Sequence, residues 1–205
     1  MTTASATLPE VALAARLFGE LLEEAIVFHG HLCPGLVLGI RMARAGCREL
    51  GVERPRSAGK GLVVFVEIDR CATDAIQTVT GVSVGKRTLR HVDYGKTAAT
   101  FVDVPSGAAV RVAARDDARH LVAGWAPDEA DPRKAQTVAY RVMPEAALLR
   151  IEPVTVQPGW LDRRRTRVSC QACGEGISYQ REVTVAGRTL CRPCAGDRYY
   201  RARRE

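Results

Sequence analysis

The stretch Phe28–Gly35 reads FHGHLCPG. It gathers two of the chain's four histidines and one of its seven cysteines, and it ends in Pro-Gly. Proline suits the first position of a helix and holds the residue before it extended. Pro34 therefore starts a helix that runs through GLVLGIRMARAGCREL and stops at Gly51. Upstream, apolar residues recur at helical spacing from Leu8 to Phe28 (Val11, Leu13, Leu17, Leu21, Leu22, Ala25, Ile26), which predicts an amphipathic helix. FHGHLCPG is thus a junction between two helices. It carries either metal-ligating chemistry or ordinary capping and packing groups.

Geometry separates two arrangements. If the segment before Pro34 is extended, alternate residues face the same way, and His29, His31 and Cys33 line one side. If the first helix runs on to Cys33, His29 and Cys33 share a face and His31 points away. In either case Cys33 begins the next helix, where the helix dipole lowers a thiol's pKa and favours the thiolate that binds metal or attacks.

Working outward, GLVVFVEID (61–69) is a β-branched and aromatic strand, and CATDAIQTVTG (71–81) is a short helix ended by Gly81. Cys71 therefore also begins a helix, flanked by Asp69 and Asp74. Cys47 lies in mid-helix, as a packing group would. RTLRHVDY (87–94), TAATFVDV (97–104) and AAVRVAAR (108–115), separated by turn residues, predict three antiparallel strands. DDARHLVAG and DPRKAQTVAYRVM predict helices, with PEAALLR a third before the strand IEPVTV (151–156), and His120 falls at a helix terminus. Helices, then a meander, then helices indicate an α+β fold, an antiparallel sheet packed with helices. Within GVSVGKRTLRHVDYGK (81–96), Lys86 and Lys96 stand among glycines as candidate cofactor-binding residues.

The C-terminal part has a different character. Residues 157–205 hold 11 arginines against 5 acidic residues, while residues 1–156 hold 19 lysines and arginines against 18 acids. A net charge of +7 is therefore almost wholly a property of the tail. PGWLDRRRTR reads as a linker within 157–167, after a domain spanning 1–156. In 168–205, Cys170-x2-Cys173 and Cys191-x2-Cys194 are separated by 17 residues, the spacing of a four-cysteine zinc site; iron shares this ligand set. ISYQREVTVAGRTL between the pairs predicts a hairpin turning at Ala186-Gly187, and CAGDRYYRARRE predicts a closing helix, hence a zinc ribbon or treble-clef module. So small a module folds on its metal. Its arginines, with Tyr199 and Tyr200, offer nucleic acid a weak electrostatic partner or form a docking face.

No window approaches the roughly 18 apolar residues of a membrane span. The N-terminus lacks the basic and apolar segments of a signal peptide. Paired C-x2-C motifs suit a reducing compartment, so the expectation is a cytoplasmic protein with no membrane partner.

FHGHLCPGLVLGIRMA, DRCATDAIQTVTG, GKRTL and DYGKTAATF together resemble the FmdE-like proteins, named after the FmdE component of formylmethanofuran dehydrogenase, over roughly residues 15–155. Some of these proteins also carry a C-terminal zinc-finger module like this tail. The resemblance implies an α+β domain, commonly dimeric, with a pocket metal on His29, His31, Cys33 and Cys71. The candidate catalytic residues are then His31, Cys33 and Cys71, with His29 a direct or supporting ligand, and the pocket metal zinc or iron. Where such proteins often have a cysteine after the glycine at 81, this chain has Val82; where they read GKGNL, it reads GKRTL. The expected role is an enzyme-like protein or an accessory subunit of an oxidoreductase system, with an oxidoreductase partner. The alternative is a regulator that binds nucleic acid or protein through the basic tail.

Overall fold

The structure is a computed structural model describing residues 13, 16–157, 159–162, 166–201 and 203. The chain forms two compact units, Met1–Thr155 and Val156–Glu205. Among the described residues no helix is long and apolar enough to cross a membrane.

In the first unit, α1 (Phe18–His29) and α2 (Pro34–Glu49) are followed by β1 (Leu62–Val66), α3 (Cys71–Thr80), β2 (Leu89–His91), β3 (Ala98–Asp103) and β4 (Ala109–Ala114). A 3-10 segment, Asp116–Leu121, then leads into α4 (Val122–Trp125), α5 (Pro132–Val142), α6 (Glu145–Leu148) and β5 (Leu149–Val154). The five strands form one sheet in the order β2-β1-β3-β4-β5. The fold is α+β. α1 begins at Phe18, and most of the predicted helix upstream of it, residues 8–17, lies outside the described residues.

One strand departs from the predicted meander. β2 pairs parallel to β1, with Val64 opposite Leu89, and does not pair with β3. The cause is α3. It is a crossover leaving the end of β1, and a crossover returns the chain to run in the same direction. The segment 116–124 also splits, into a 3-10 stretch and a single α turn, instead of one helix.

Every residue of β1 is buried, as befits a strand covered on both faces. α2 lies across the sheet, and an added Cβ at Gly46 would overlap the buried Phe101 ring of β3. Arg41 of α2 donates to the carbonyls of Tyr140 (3.0 Å) and Met143 (2.9 Å), closing the C-terminus of α5. At its other end α5 is capped by Asp131, whose carboxylate accepts from the Arg133 and Lys134 amides at 2.8 and 2.9 Å. Across the sheet, buried Glu67 holds Arg111 through two bonds of 2.7 Å.

The closest helix contact is that of α2 with α3. A Cβ at Gly39 would overlap the Ala72 carbonyl oxygen and lie 2.7 Å from the Ala75 Cβ. At Gly35 it would lie 2.9 Å from the Cys71 Cβ. No larger residue allows this approach, which sets the N-terminal ends of α2 and α3 beside each other. Gly39→Ala should therefore destabilise the unit by about 1–3 kcal/mol, the usual cost of overpacking a tight contact. Urea unfolding checks this; an unchanged midpoint would mean that α2 and α3 are not packed backbone to backbone.

In the second unit, β6 (Arg167–Ser169) pairs with β7 (Gly176–Ser178), and β8 (Val183–Val185) with β9 (Arg188–Leu190). The β8–β9 turn falls at Ala186 and Gly187, both at positive φ (49° and 77°) as a tight two-residue hairpin demands. The closing helix predicted after Cys194 is absent among the described residues. Gly196 adopts a left-handed φ of 104°, and the Asp197 amide turns back to the Arg192 carbonyl at 2.9 Å. The module is therefore a ribbon, without the helix of a treble clef. Of the predicted linker, residues 158 and 163–165 lie outside the described residues.

Candidate metal centres and cleft

α1 ends at His29 because Gly30 turns left-handed (φ 96°) and its amide closes on the Ile26 carbonyl at 2.7 Å. The chain then extends to Cys33 (φ −149°, ψ 162°), which caps α2 ahead of Pro34. Gly35 leaves room for the Cys71 side chain at the first position of α3, and the Arg70 before it is extended. The His29, Cys33 and Cys71 ligand atoms all lie within 4.8 Å of one another. His29 Nε2 stands 4.0 Å from Cys33 Sγ.

Around a tetrahedral zinc, ligand atoms stand about 3.5–3.8 Å apart, given Zn–S near 2.3 Å and Zn–N near 2.0 Å. The set fits with small side-chain movements. His29 Nδ1 is 2.7 Å from Asp74 Oδ2, one turn of α3 beyond Cys71. An Nδ1–H donated to that carboxylate leaves Nε2 as the bare ligand nitrogen, the usual carboxylate–histidine support of a metal site. Asp74 is the residue whose part the sequence reading missed. Its signal was the three-residue spacing from Cys71, which places both on one face of a helix.

His31 falls outside this set. Its ring packs on that of His29, centroids 4.6 Å apart, and it lines the adjacent cleft. Neither arrangement foreseen for the junction holds: Gly30 stops the helix, so His29 is presented from a helix end and Cys33 from an extended residue. The expected lowering of a helix-start thiol also fails for Cys71. Burial, reinforced by the neighbouring Cys33, pushes its pKa up.

The cleft holds about 1550 Å³ and is lined by Cys33, Cys71 and His31 together with eight lysines and arginines against three acids. Lys96 is among them and Lys86 is not. Lys86 Nζ instead donates to the Gly81 carbonyl at 3.1 Å, at the opposite end of α3 from Cys71. Cys47 is buried in the core.

In the second unit the four sulfurs of Cys170, Cys173, Cys191 and Cys194 likewise lie within 4.8 Å of one another. Gly174, at φ 76°, makes the first knuckle. The Cys191 amide reaches Cys170 Sγ at 3.3 Å. Backbone N–H groups of Cys173, Cys191 and Ala172 hold the Cys170 thiol down at about 6, whereas the Cys191 and Cys173 sulfurs push Cys194 up to about 12. One thiolate is thus ready to take a cation and the others yield their protons to it. Among the described residues the buried apolar core here is Cys170, Ile177 and Leu190.

An α+β domain with a His/Cys ligand cluster beside a cationic cleft, followed by a four-cysteine ribbon, defines a class of two-module metal-binding proteins. The FmdE family, described as "FmdE, Molybdenum formylmethanofuran dehydrogenase operon", matches residues 28–153, and the chain belongs to that family. The prokaryotic dksA/traR C4-type zinc finger matches residues 164–200. A probable S-adenosyl-L-methionine-binding protein of Archaeoglobus fulgidus is 40% identical over 94 residues, 45% of this chain. The match spans only 26% of that relative's length. The crystal structure of a tungsten formylmethanofuran dehydrogenase FmdE-like protein from Syntrophus aciditrophicus shares the fold. Its TM-score is 0.64 at 21% identity, covering 94% of this chain and all of the other.

Two zinc ions per chain are expected, one in each cluster. Cys33→Ser or Cys71→Ser should lower the content measured by mass spectrometry to about one, while Cys47→Ser should leave it unchanged. Asp74→Asn should weaken the first-unit site about 10–100-fold, as loss of such support does elsewhere. Full metal retention in both cysteine variants would reduce FHGHLCPG to a helix junction. Chelation should unfold the ribbon while leaving the helical signal of the first unit largely intact. A ribbon that stays folded without metal would contradict this.

Proposed function

We propose that the first unit is an enzyme-like metalloprotein in which His29, Cys33 and Cys71 hold a zinc ion, or iron in its place. Three such ligands would leave a fourth position for a non-protein group, and Cys33 and Cys71 line the cleft. The ribbon contributes a structural zinc. The observation that carries this reading is the joining of three ligand atoms to a charged histidine support at the wall of a large cleft. Structural zinc sites are closed by four protein ligands, whereas three leave a place for water or substrate.

A metal so held would polarise a bound carbonyl or lower the pKa of a bound water. The chain's own residues supply the rest. Asp74 fixes the His29 tautomer and ring orientation. Cys33 and Cys71 give up their protons on loading, and His31, packed on His29 at the cleft wall, is placed to pass a proton to or from a bound molecule. The Cys33, His31 and Cys71 side chains are thus the catalytic group of this proposal, acting alone or as a subunit of an oxidoreductase system, in the cytoplasm and as a homodimer. S-adenosylmethionine, drawn from the description of the Archaeoglobus relative, carries sulfonium and ammonium charges that match a cation-lined cleft poorly.

The regulator reading rests on the basic ribbon, with Tyr199 almost fully exposed. Phosphate contacts from that surface should be weak, sequence-independent and lost with added salt.

Cobalt substitution tests the open position. Azide should shift the visible bands of the wild-type cobalt protein and leave those of Cys33→Ser, which retains only ribbon cobalt, unchanged. A wild-type spectrum indifferent to azide would mean a closed, structural site. Loading should also depend on pH. The Cys71 thiol, held protonated by burial, must lose its proton to ligate. Apparent affinity should therefore fall about tenfold per pH unit from this group alone as pH drops from about 9 to about 6. A pH-independent affinity would exclude Cys71 as a ligand.

A further inference from the structure

The cleft's charges do not cancel. Of its three acids, Glu67 is committed to Arg111, and Asp117 to Arg115 through bonds of 3.0 and 2.7 Å. Arg150 in turn engages Glu152 at 3.2 Å. Among the described residues, Arg70, Lys96, Arg119, Arg133 and Lys134 form no close ion pair; Asp116 is the remaining acid of the lining, and Asp131, which caps α5, acts on Arg133 and Lys134 through space. They come from four separate places in the chain: the start of α3, the loop before β3, the 3-10 segment and the first turn of α5. Convergence of like charges from distant segments on one concavity raises the folding cost, which a bound anion reverses. Arg70 stands at the metal end, next to Cys71 in the chain.

We propose that the cleft binds a small polyanion bearing phosphate or carboxylate groups. Its charged end sits on Lys96, Arg119, Arg133 and Lys134, and its reacting group lies beside Arg70 and the Cys33–Cys71 pair. The proposal rests on the reading of that pair as the metal-bearing end, and it names the substrate class for it. Phosphate and carboxylate share the chemistry that guanidinium forks and ammonium groups recognise. The volume suits a cofactor-sized molecule with room for water, being larger than the roughly 300–1,000 Å³ of ordinary small-molecule pockets.

Calorimetry on the full chain, with inorganic pyrophosphate and with glutarate as probes at low salt, tests this. Pyrophosphate tighter than glutarate would assign phosphate, and the reverse would assign carboxylate. The double variant Lys96→Ala/Arg133→Ala alters two exposed side chains and should keep its metal content and unfolding midpoint. It should weaken the preferred probe at least tenfold. In Cys33→Ser, which lacks the pocket metal, binding should persist within about threefold. If Cys33→Ser abolishes binding while the double variant leaves it unchanged, the probe sits on the metal; the anion site is then wrong and the metal reading stands. Failure of both probes to bind the wild-type chain would also overturn the proposal.

Discussion

The arrangement depends on one contact, the backbone approach of α2 to α3 across Gly35 and Gly39. Two cysteines far apart in sequence become neighbours because nothing larger than hydrogen intervenes where these helices begin. The same approach places Asp74 beside the ring of His29, so ligand and support arrive together. β1 and β2 then inherit their parallel pairing from the crossover that α3 makes. Glycine at these positions is therefore a property of the site as much as of the fold.

The two metal clusters solve opposite problems. The ribbon has almost no core of its own, so its four thiols are its fold, and their unequal proton affinities leave Cys170 ready as the first ligand. The first unit folds on a large apolar core and can hold an incomplete ligand set at its surface. There burial, with Cys33 beside it, raises the Cys71 thiol and favours its neutral form. Beside this cluster the cleft concentrates positive charge, eight lysines and arginines against three acids in its lining. On the proposed reading, a metal held by His29, Cys33 and Cys71 would act on one end of an anionic guest while the cleft's cations hold the other.

Much of this was legible in the sequence. Pro34, Gly81 and the C-x2-C pairs act locally: each dictates backbone geometry within a few residues, and the helix starts at Cys33 and Cys71 follow from them. What was not legible depends on non-local packing. The direction of β2 is set by where a crossover returns, not by the strand's own residues. Gly30 reads equally well as a flexible link or as a helix stop, and that choice leaves His31 packed on the His29 ring outside the three-ligand set. The helix expected after Cys194 fails at Gly196, whose left-handed backbone the composition around it does not reveal. The cleft's cations are scattered from Arg70 to Arg150, and no window of sequence shows that they converge.

Diffraction data collected on either side of the zinc absorption edge test the central claim most directly. Two anomalous peaks per chain are expected. One lies among the four ribbon sulfurs, and the other is within bonding distance of His29 Nε2, Cys33 Sγ and Cys71 Sγ, with a non-protein ligand facing the cleft. A single peak in the ribbon, with the Cys33 and Cys71 sulfurs bare or turned apart in metal-replete crystals, would contradict it.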